Sequence, residues 1–174
     1  MGKYDKFKVN LKGMTEKSAT FNMDVDNAFF ALIEAPELQK GRCSVTTTVE
    51  KVGDRFDLRF DIVGTVVVTC DRCLDEMNQP IEAHETLSVK LGDDYGEEGE
   101  IVIIPEQDGV LNVAWYLYEF ISLAVPMRHV HAPGKCNREM AEKLDELQVD
   151  EDGGNAGGDE TDPRWDALKG LMDN

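Results

Sequence analysis

Four residues of the sequence have the types and the spacing of a metal site. Cys70 and Cys73 form a C-x2-C pair, and His131 and Cys136 form an H-x4-C pair further along the chain. Three thiolates and one imidazole satisfy the tetrahedral preference of zinc, with Zn–S bonds of about 2.3 Å and Zn–N bonds of about 2.0–2.1 Å. Together the two pairs predict one structural zinc site, with His129 as a second choice for the imidazole ligand.

The C-x2-C pair has a second interpretation, as a redox dithiol. Such dithiols usually lie at a helix N-terminus beside a βαβ pattern, which lowers the thiolate pKa. Here the pair lies between two predicted strands and is followed by two acidic residues, which oppose a thiolate. A zinc- or thiol-dependent redox protein that uses Cys70 and Cys73 is therefore the alternative hypothesis. Cys43 and His84 are predicted to be ordinary structural residues.

The elements that must position these residues are predicted from hydrophobic periodicity. Alternating or β-branched runs indicate strands at 6–11, 18–25, 43–51, 54–63, 65–70, 81–91 and 101–105. A turn at 52–54 joins two of these strands into a hairpin. The cysteine-containing segment then lies at the tip of a second hairpin.

Three helices are predicted in the same part of the chain. Residues 26–35 indicate a short helix, and residues 137–147 a polar helix capped by Asn137. Residues 111–125 are apolar on most sides and end at Pro126, which indicates a long helix packed on a sheet. The predicted fold class is α+β, a mainly antiparallel β core with this long apolar helix packed on it and a short C-terminal helix. Leu117 and Ile121 are expected to be among the most buried residues.

The chain length of 174 residues indicates one domain and a small appendage. We expect a single α+β domain at 1–147 and an acidic, Gly-rich, disordered linker at 148–161. Apolar spacing returns at 162–174 and predicts a short helical segment. That segment either binds a partner or docks on its own domain.

The charge of the chain is strongly negative and unevenly distributed. The 18 Lys and Arg residues face 35 Asp and Glu residues, for a net charge of −17. Residues 1–92 contain 12 basic and 15 acidic side chains, whereas residues 93–174 contain 6 and 20. This balance argues against non-specific binding of nucleic acid, because phosphates are repelled by the whole molecule. A local contact with RNA or a partner protein is predicted at Arg42, Arg55, Arg59 and Arg72.

No segment of the sequence directs the protein to a membrane. No apolar run approaches the roughly 18 residues that cross a bilayer. The N-terminal residues lack the apolar core of a signal peptide. We therefore expect a cytoplasmic protein with no membrane partner.

Several motifs follow one another in a distinctive order. The strand TVVVTC is followed directly by CDRCL, and an acidic loop precedes the segment LNVAWYLYEFISLAVP. The motif P-x3-V-H-x4-C then extends from Pro126 to Cys136, and DPRWDALKGL lies near the end of the sequence. In this order the chain resembles the bacterial large ribosomal RNA subunit accumulation protein family over roughly residues 40–172. The resemblance implies a factor for large-subunit ribosomal RNA accumulation and ribosome assembly that binds ribosomal RNA or a ribosomal protein.

The resemblance also bears on the site residues. It supports the metal interpretation of the Cys and His pairs, and it makes Asp162, Pro163, Arg164 and Trp165 candidate partner contacts. Members of the family are not known as enzymes. The sequence contains no recognisable Ser-His-Asp set, phosphate loop or catalytic carboxylate pair, so no catalytic residue is predicted.

Overall fold

A computed structural model of the chain describes residues 5–147. The chain divides into two compact units, residues 1–136 and 137–174. The strands described are β1 (Lys8–Asn10), β2 (Ser18–Val25), β3 (Gly41–Val52), β4 (Arg55–Thr69), β5 (Glu76–Gly92), β6 (Gly96–Glu98), β7 (Ile101–Pro105) and β8 (Val110–Asn112), and the helices are α1 (Asn27–Ile33), α2 (Ala114–Leu123) and α3 (Arg138–Leu147). The predicted linker at 148–161 and the predicted helical segment at 162–174 lie outside the described residues.

The first unit is built on a six-stranded sheet in the order β2-β3-β4-β5-β7-β6. All neighbouring strands are antiparallel except β5 and β7, which are parallel. β1 and β8 form a separate antiparallel pair. The register of β4 and β5 runs without a break from Arg55 opposite Lys90 to Thr69 opposite Glu76. The segment 70–75 is therefore the turn of the longest hairpin.

Strict alternation along β4 explains why this segment is a strand. Phe56, Leu58 and Phe60 are buried, whereas Asp57 and Arg59 between them point to the other, exposed face. A period of two places all apolar side chains on one face of a strand, and that face then packs against the core. The predicted hairpin around 52–54 and the predicted strand pair on either side of the cysteines are confirmed.

The helices α1 and α2 and the short strand β1 contribute to the core beside the inner face of the sheet. Asp26 caps α1, since its carboxylate accepts a hydrogen bond from the N–H of Phe29 at 3.1 Å. From α2, Leu117 and Ile121 are fully buried, as the sequence predicts. The ring of Phe120 lies 5.3 Å from that of Phe60 between centroids, which ties α2 to the centre of β4.

The long helix predicted at 111–125 is not present. Val110–Asn112 form β8 instead, with Leu111 opposite Val9 of β1. The helix begins only at Ala114, whose N–H donates to the side-chain oxygen of Asn112 at 3.0 Å. It has ten residues, or about 15 Å at 1.5 Å per residue. Strand pairing with a segment a hundred residues earlier overrides the local helical pattern, and a sequence pattern does not show such a partner.

The predicted fold class, an α+β protein with an antiparallel core and one long apolar helix, is therefore wrong. Strands account for 46% of the described residues and helices, including a 3-10 helix at Asp5–Phe7, for 21%, which makes the protein mainly β. The large sheet is mixed, because β7 returns parallel to β5 after the short antiparallel strand β6. The short apolar run of β7 is equally compatible with either direction, so the sequence does not reveal this pairing.

In the second unit, α3 agrees with the predicted polar helix. The side-chain oxygen of Asn137 accepts hydrogen bonds from the N–H groups of Glu139 at 3.1 Å and Met140 at 3.4 Å. Asn137 is therefore the N-cap, as predicted. Among the described helices, none combines the length and the apolar character needed to cross a bilayer.

Truncation of α2 on its buried side is expected to destabilise the first unit. Leu117→Ala removes a fully buried side chain and should cost roughly 2–5 kcal/mol of unfolding free energy. Leu123→Ala is the matched control, because this leucine is 79% exposed on the same helix; its cost should stay within about 0.5 kcal/mol. Urea unfolding of both variants measures the difference. Equal costs would contradict the observed orientation of α2.

Candidate metal centre

The turn between β4 and β5 presents two cysteines from the end of the long hairpin. The N–H of Cys70 donates to the carbonyl of Asp75 at 2.9 Å, and the N–H of Leu74 donates to the carbonyl of Cys70 at 3.0 Å. These two bonds close the turn tightly, with Leu74 in a left-handed conformation at φ 63°. Cys70 and Cys73 are both buried. The hairpin therefore holds two sulfur atoms in a fixed and protected position.

The loop after α2 lies against this turn through a reciprocal contact. The N–H of Asp71 donates to the carbonyl of His129 at 3.0 Å. In return, the N–H of His129 donates to the carboxylate of Asp71 at 2.7 Å. The ring Nε2 of His129 also lies 3.5 Å from the same carboxylate. His129 therefore connects the two loops through Asp71. The histidine in the cluster with the cysteines is His131, and not His129.

The four residues predicted as ligands come together at this junction. The ligand atoms of Cys70, Cys73, His131 and Cys136 all lie within 4.8 Å of one another. The Nδ1 of His131 is 3.3 Å from the sulfur of Cys73. A tetrahedral zinc ion with Zn–S bonds of about 2.3 Å places its sulfur ligands about 3.8 Å apart. The cluster is therefore compatible with a single metal ion.

The electrostatics of the cluster favour one thiolate strongly. Burial acts to raise the pKa of Cys70, but hydrogen bonds to its sulfur from the backbone N–H groups of Cys73, His131 and Arg72 outweigh it, and the pKa falls from 9.0 to about 6. Burial raises the pKa of Cys136, and the neighbouring sulfurs of Cys73 and Cys70 raise it further. These hydrogen bonds favour the thiolate form of Cys70, whereas a bound cation would favour the ionisation of Cys136 as well.

The four arginines predicted as an RNA face are distributed along the sheet and do not form one cluster. Arg42 lies on β3 opposite Thr65, six residues along β4 from Arg59. At about 3.3 Å per residue, this separates the two positions by roughly 20 Å. Arg55 is the first residue of β4, at the end of the strand far from Thr65, and Arg72 lies in the cysteine turn. Their role as contacts stays a prediction, and Asp162, Pro163, Arg164 and Trp165 lie outside the described residues.

Acidic side chains alternate with basic ones on the exposed face of the sheet. Arg55 pairs with Asp57 at 3.2 Å, and His84 contacts Asp61 at 2.7 Å and Glu82 at 3.3 Å. The hydrogen bond to Asp61, and then the one to Glu82, raises the pKa of His84. This face therefore carries mixed charge instead of a continuous positive surface.

The sequence does not predict the roles that two residues, Asp71 and His129, have in this centre. Asp71 is one of the two variable positions of the C-x2-C motif, and His129 is predicted only as an alternative ligand. The sequence feature that points to this contact is the acidic side chain of Asp71 inside the cysteine turn, because a carboxylate there accepts hydrogen bonds from a neighbouring loop. Cys43 agrees with its structural interpretation: it is buried in the core, and burial raises its thiol pKa.

Comparison with known proteins identifies one family. The sequence model of the family described as large ribosomal RNA subunit accumulation protein YceD matches residues 58–172. The match covers about two thirds of the chain and includes all four residues of the Cys and His cluster. Comparisons with curated proteins and with solved structures gave no match.

Loss of the Asp71 carboxylate should loosen the junction between the two loops. Asp71→Ala removes the acceptor of the His129 N–H and is expected to cost about 1 kcal/mol, since the carboxylate is partly exposed. Asp24→Ala, at an exposed position of β2, is the matched control. Thermal unfolding and amide exchange at residues 126–131 measure the effect. Identical behaviour of the two variants would show that the contact does not stabilise the loop.

Proposed function

The chain belongs to the large ribosomal RNA subunit accumulation protein YceD family, and we propose that it is a non-enzymatic cytoplasmic factor that supports accumulation of large-subunit ribosomal RNA during ribosome assembly. Family membership carries this proposal. The partner is ribosomal RNA or a ribosomal protein. The cluster supports a non-enzymatic role, because its four protein side chains would fill the coordination sphere of a tetrahedral zinc ion and leave no position for a substrate.

The metal that fits the cluster is zinc. Three cysteines and one histidine provide the soft and borderline ligands that zinc prefers in closed structural sites. Bound at this junction, zinc would cross-link the β4–β5 turn to the loop after α2. The ligands of each pair are near in sequence, but Cys73 and His131 are 58 residues apart. Such a cross-link stabilises the folded state because no preformed site exists in the unfolded chain.

One observation favours the alternative, a redox dithiol at Cys70 and Cys73. The pKa of Cys70 at about 6 is typical of reactive thiols. Against this, Cys70 is fully buried, so an external disulfide would not reach it. A dithiol also needs only two sulfurs, whereas zinc accounts for the positions of His131 and Cys136 as well. Zinc is therefore the preferred cofactor.

The metal proposal is tested by removing one ligand. Wild-type protein and Cys43→Ser are expected to contain equimolar zinc after purification, whereas Cys73→Ser should lose most of it. The thermal midpoint of Cys73→Ser should fall by several degrees, and a chelator should lower that of the wild type in the same way. Metal analysis and thermal unfolding give these values. Wild-type protein that holds no zinc and cycles with thioredoxin would instead support the redox alternative.

The cellular proposal is tested by depletion of the protein. Its loss from the source cells should lower large-subunit ribosomal RNA relative to small-subunit ribosomal RNA. Wild type and Cys43→Ser should restore the ratio, while Cys73→Ser should restore it less well because its centre is incomplete. Quantification of both RNAs, with identification of the RNA or protein cross-linked to the wild type, separates the partner classes. An unchanged ratio after depletion would contradict the proposed function.

A further inference from the structure

A groove lies beside the edge of the large sheet that carries β6 and β7. It is lined by Val102 and Ile104 of β7, by Leu111 of β8 and by the rings of Tyr95 and Tyr116. Its volume is about 560 Å³, and ligand pockets typically measure roughly 300–1,000 Å³. We call it the tyrosine groove. It lies in the first unit and shares no residue with the metal centre.

The two tyrosines give the groove an aromatic surface bordered by carboxylates. Tyr95 is 71% exposed, an unusual position for a large aromatic side chain and one typical of residues that anchor a partner. Tyr116 is partly buried. Burial raises its pKa, and the negative charges of Glu97 and Glu119 raise it further. The carboxylates of Glu97 and Glu119 therefore both act on the hydroxyl group of Tyr116.

The groove is formed mainly by a stretch of the chain whose charged side chains are all acidic. Residues 91–127 contain eight acidic side chains and no Lys, Arg or His. Every described residue that lines the groove, apart from Lys8, comes from this stretch. Lys8 is itself paired with Asp5 at 2.7 Å, which offsets its charge. Asp108 in the lining, and Glu97 and Glu119 near Tyr116, therefore give the groove an excess of negative charge.

We propose that the tyrosine groove binds a Lys- and Arg-rich segment of a partner protein. A Lys or Arg side chain over the exposed ring of Tyr95 makes a cation–π contact. The carboxylate of Asp108, also in the lining, accepts charge-assisted hydrogen bonds from a guanidinium or ammonium group. This inference rests on the proposed function and deepens it, since it selects a basic protein from the two proposed partner classes.

Charge also argues against two other occupants. RNA offers bases that stack on tyrosine, but its phosphates would meet the carboxylates of residues 91–127. The C-terminal residues of the same chain carry the wrong sign as well. Residues 148–174 contain eight acidic and two basic side chains. A basic segment from another protein is the occupant with complementary charge.

Binding is tested with a fluorescein-labelled peptide of four Arg-Lys-Leu repeats and the purified full-length chain. Fluorescence anisotropy should show saturable binding that weakens as salt is raised. Tyr95→Ala should weaken binding about two- to fivefold, the equivalent of one exposed cation–π contact. Tyr95→Phe keeps the aromatic face and should bind like the wild type. Asp108→Asn should also weaken binding.

Two comparisons separate the groove from general charge attraction. Asp24→Asn removes one negative charge from β2, at the opposite edge of the sheet, and should leave binding unchanged. Equal weakening by Asp24→Asn and Asp108→Asn would overturn the proposal, as would binding that does not depend on Tyr95. A labelled twelve-residue oligouridylate is the RNA comparison. Tyr95-dependent binding of this RNA in preference to the peptide would also overturn it.

The groove and the cellular function have separate outcomes. If depletion of the protein lowers large-subunit ribosomal RNA but the purified chain does not bind the peptide, the groove proposal fails and the proposed function stands. If the peptide binds in a Tyr95-dependent manner but depletion leaves the RNA unchanged, the groove proposal stands and the proposed function fails. Tyr95→Ala does not touch the metal ligands, so zinc content should be the same in this variant and in the wild type.

Discussion

The unbroken register between β4 and β5 is the constraint on which the metal centre depends. Fifteen successive residue pairs connect the two strands, so the position of the 70–75 turn is set by the whole length of the hairpin. A slip of one residue would move every side chain of one strand to the other face. Phe56, Leu58 and Phe60 would then leave the core. Burial of this apolar row therefore also determines where Cys70 and Cys73 lie.

The second half of the centre depends on the packing of α2. Leu117 and Ile121 are fully buried, and this orients the end of the helix from which the 126–136 loop departs. The Asp71–His129 contact then holds this loop against the cysteine turn. Core packing thus brings the two loops near each other, and the Asp71–His129 contact fixes their relative position.

The Cys and His cluster and the tyrosine groove, both in the first unit, differ in the charge of the chain segments that form them. Residues 120–138 contain no Asp or Glu, and they include the loop that contributes His131 and Cys136. Three thiolates with a divalent zinc ion would have one net negative charge, and the absence of carboxylates from this loop would avoid further repulsion. The tyrosine groove is formed by the preceding acidic stretch instead. This stretch, residues 91–127, contains eight of the 35 Asp and Glu residues of the chain.

The sequence by itself determined the features that depend on near neighbours. Period-two alternation predicted the strands that became β3, β4 and β5, Asn137 was recognisable as a helix cap, and the types of four Cys and His residues predicted a cluster. Each of these signals arises within a few residues of chain, where backbone geometry limits the possibilities.

Only the tertiary structure decided the features that depend on distant partners. The pairing of Leu111 with Val9 shortened the predicted helix, and the parallel pairing of β7 with β5 made the sheet mixed. The bond from His129 to Asp71 left His131 as the histidine beside the sulfurs. Each of these outcomes is a competition between contacts more than ten residues apart, and the pattern of one segment does not show which distant segment will pair with it.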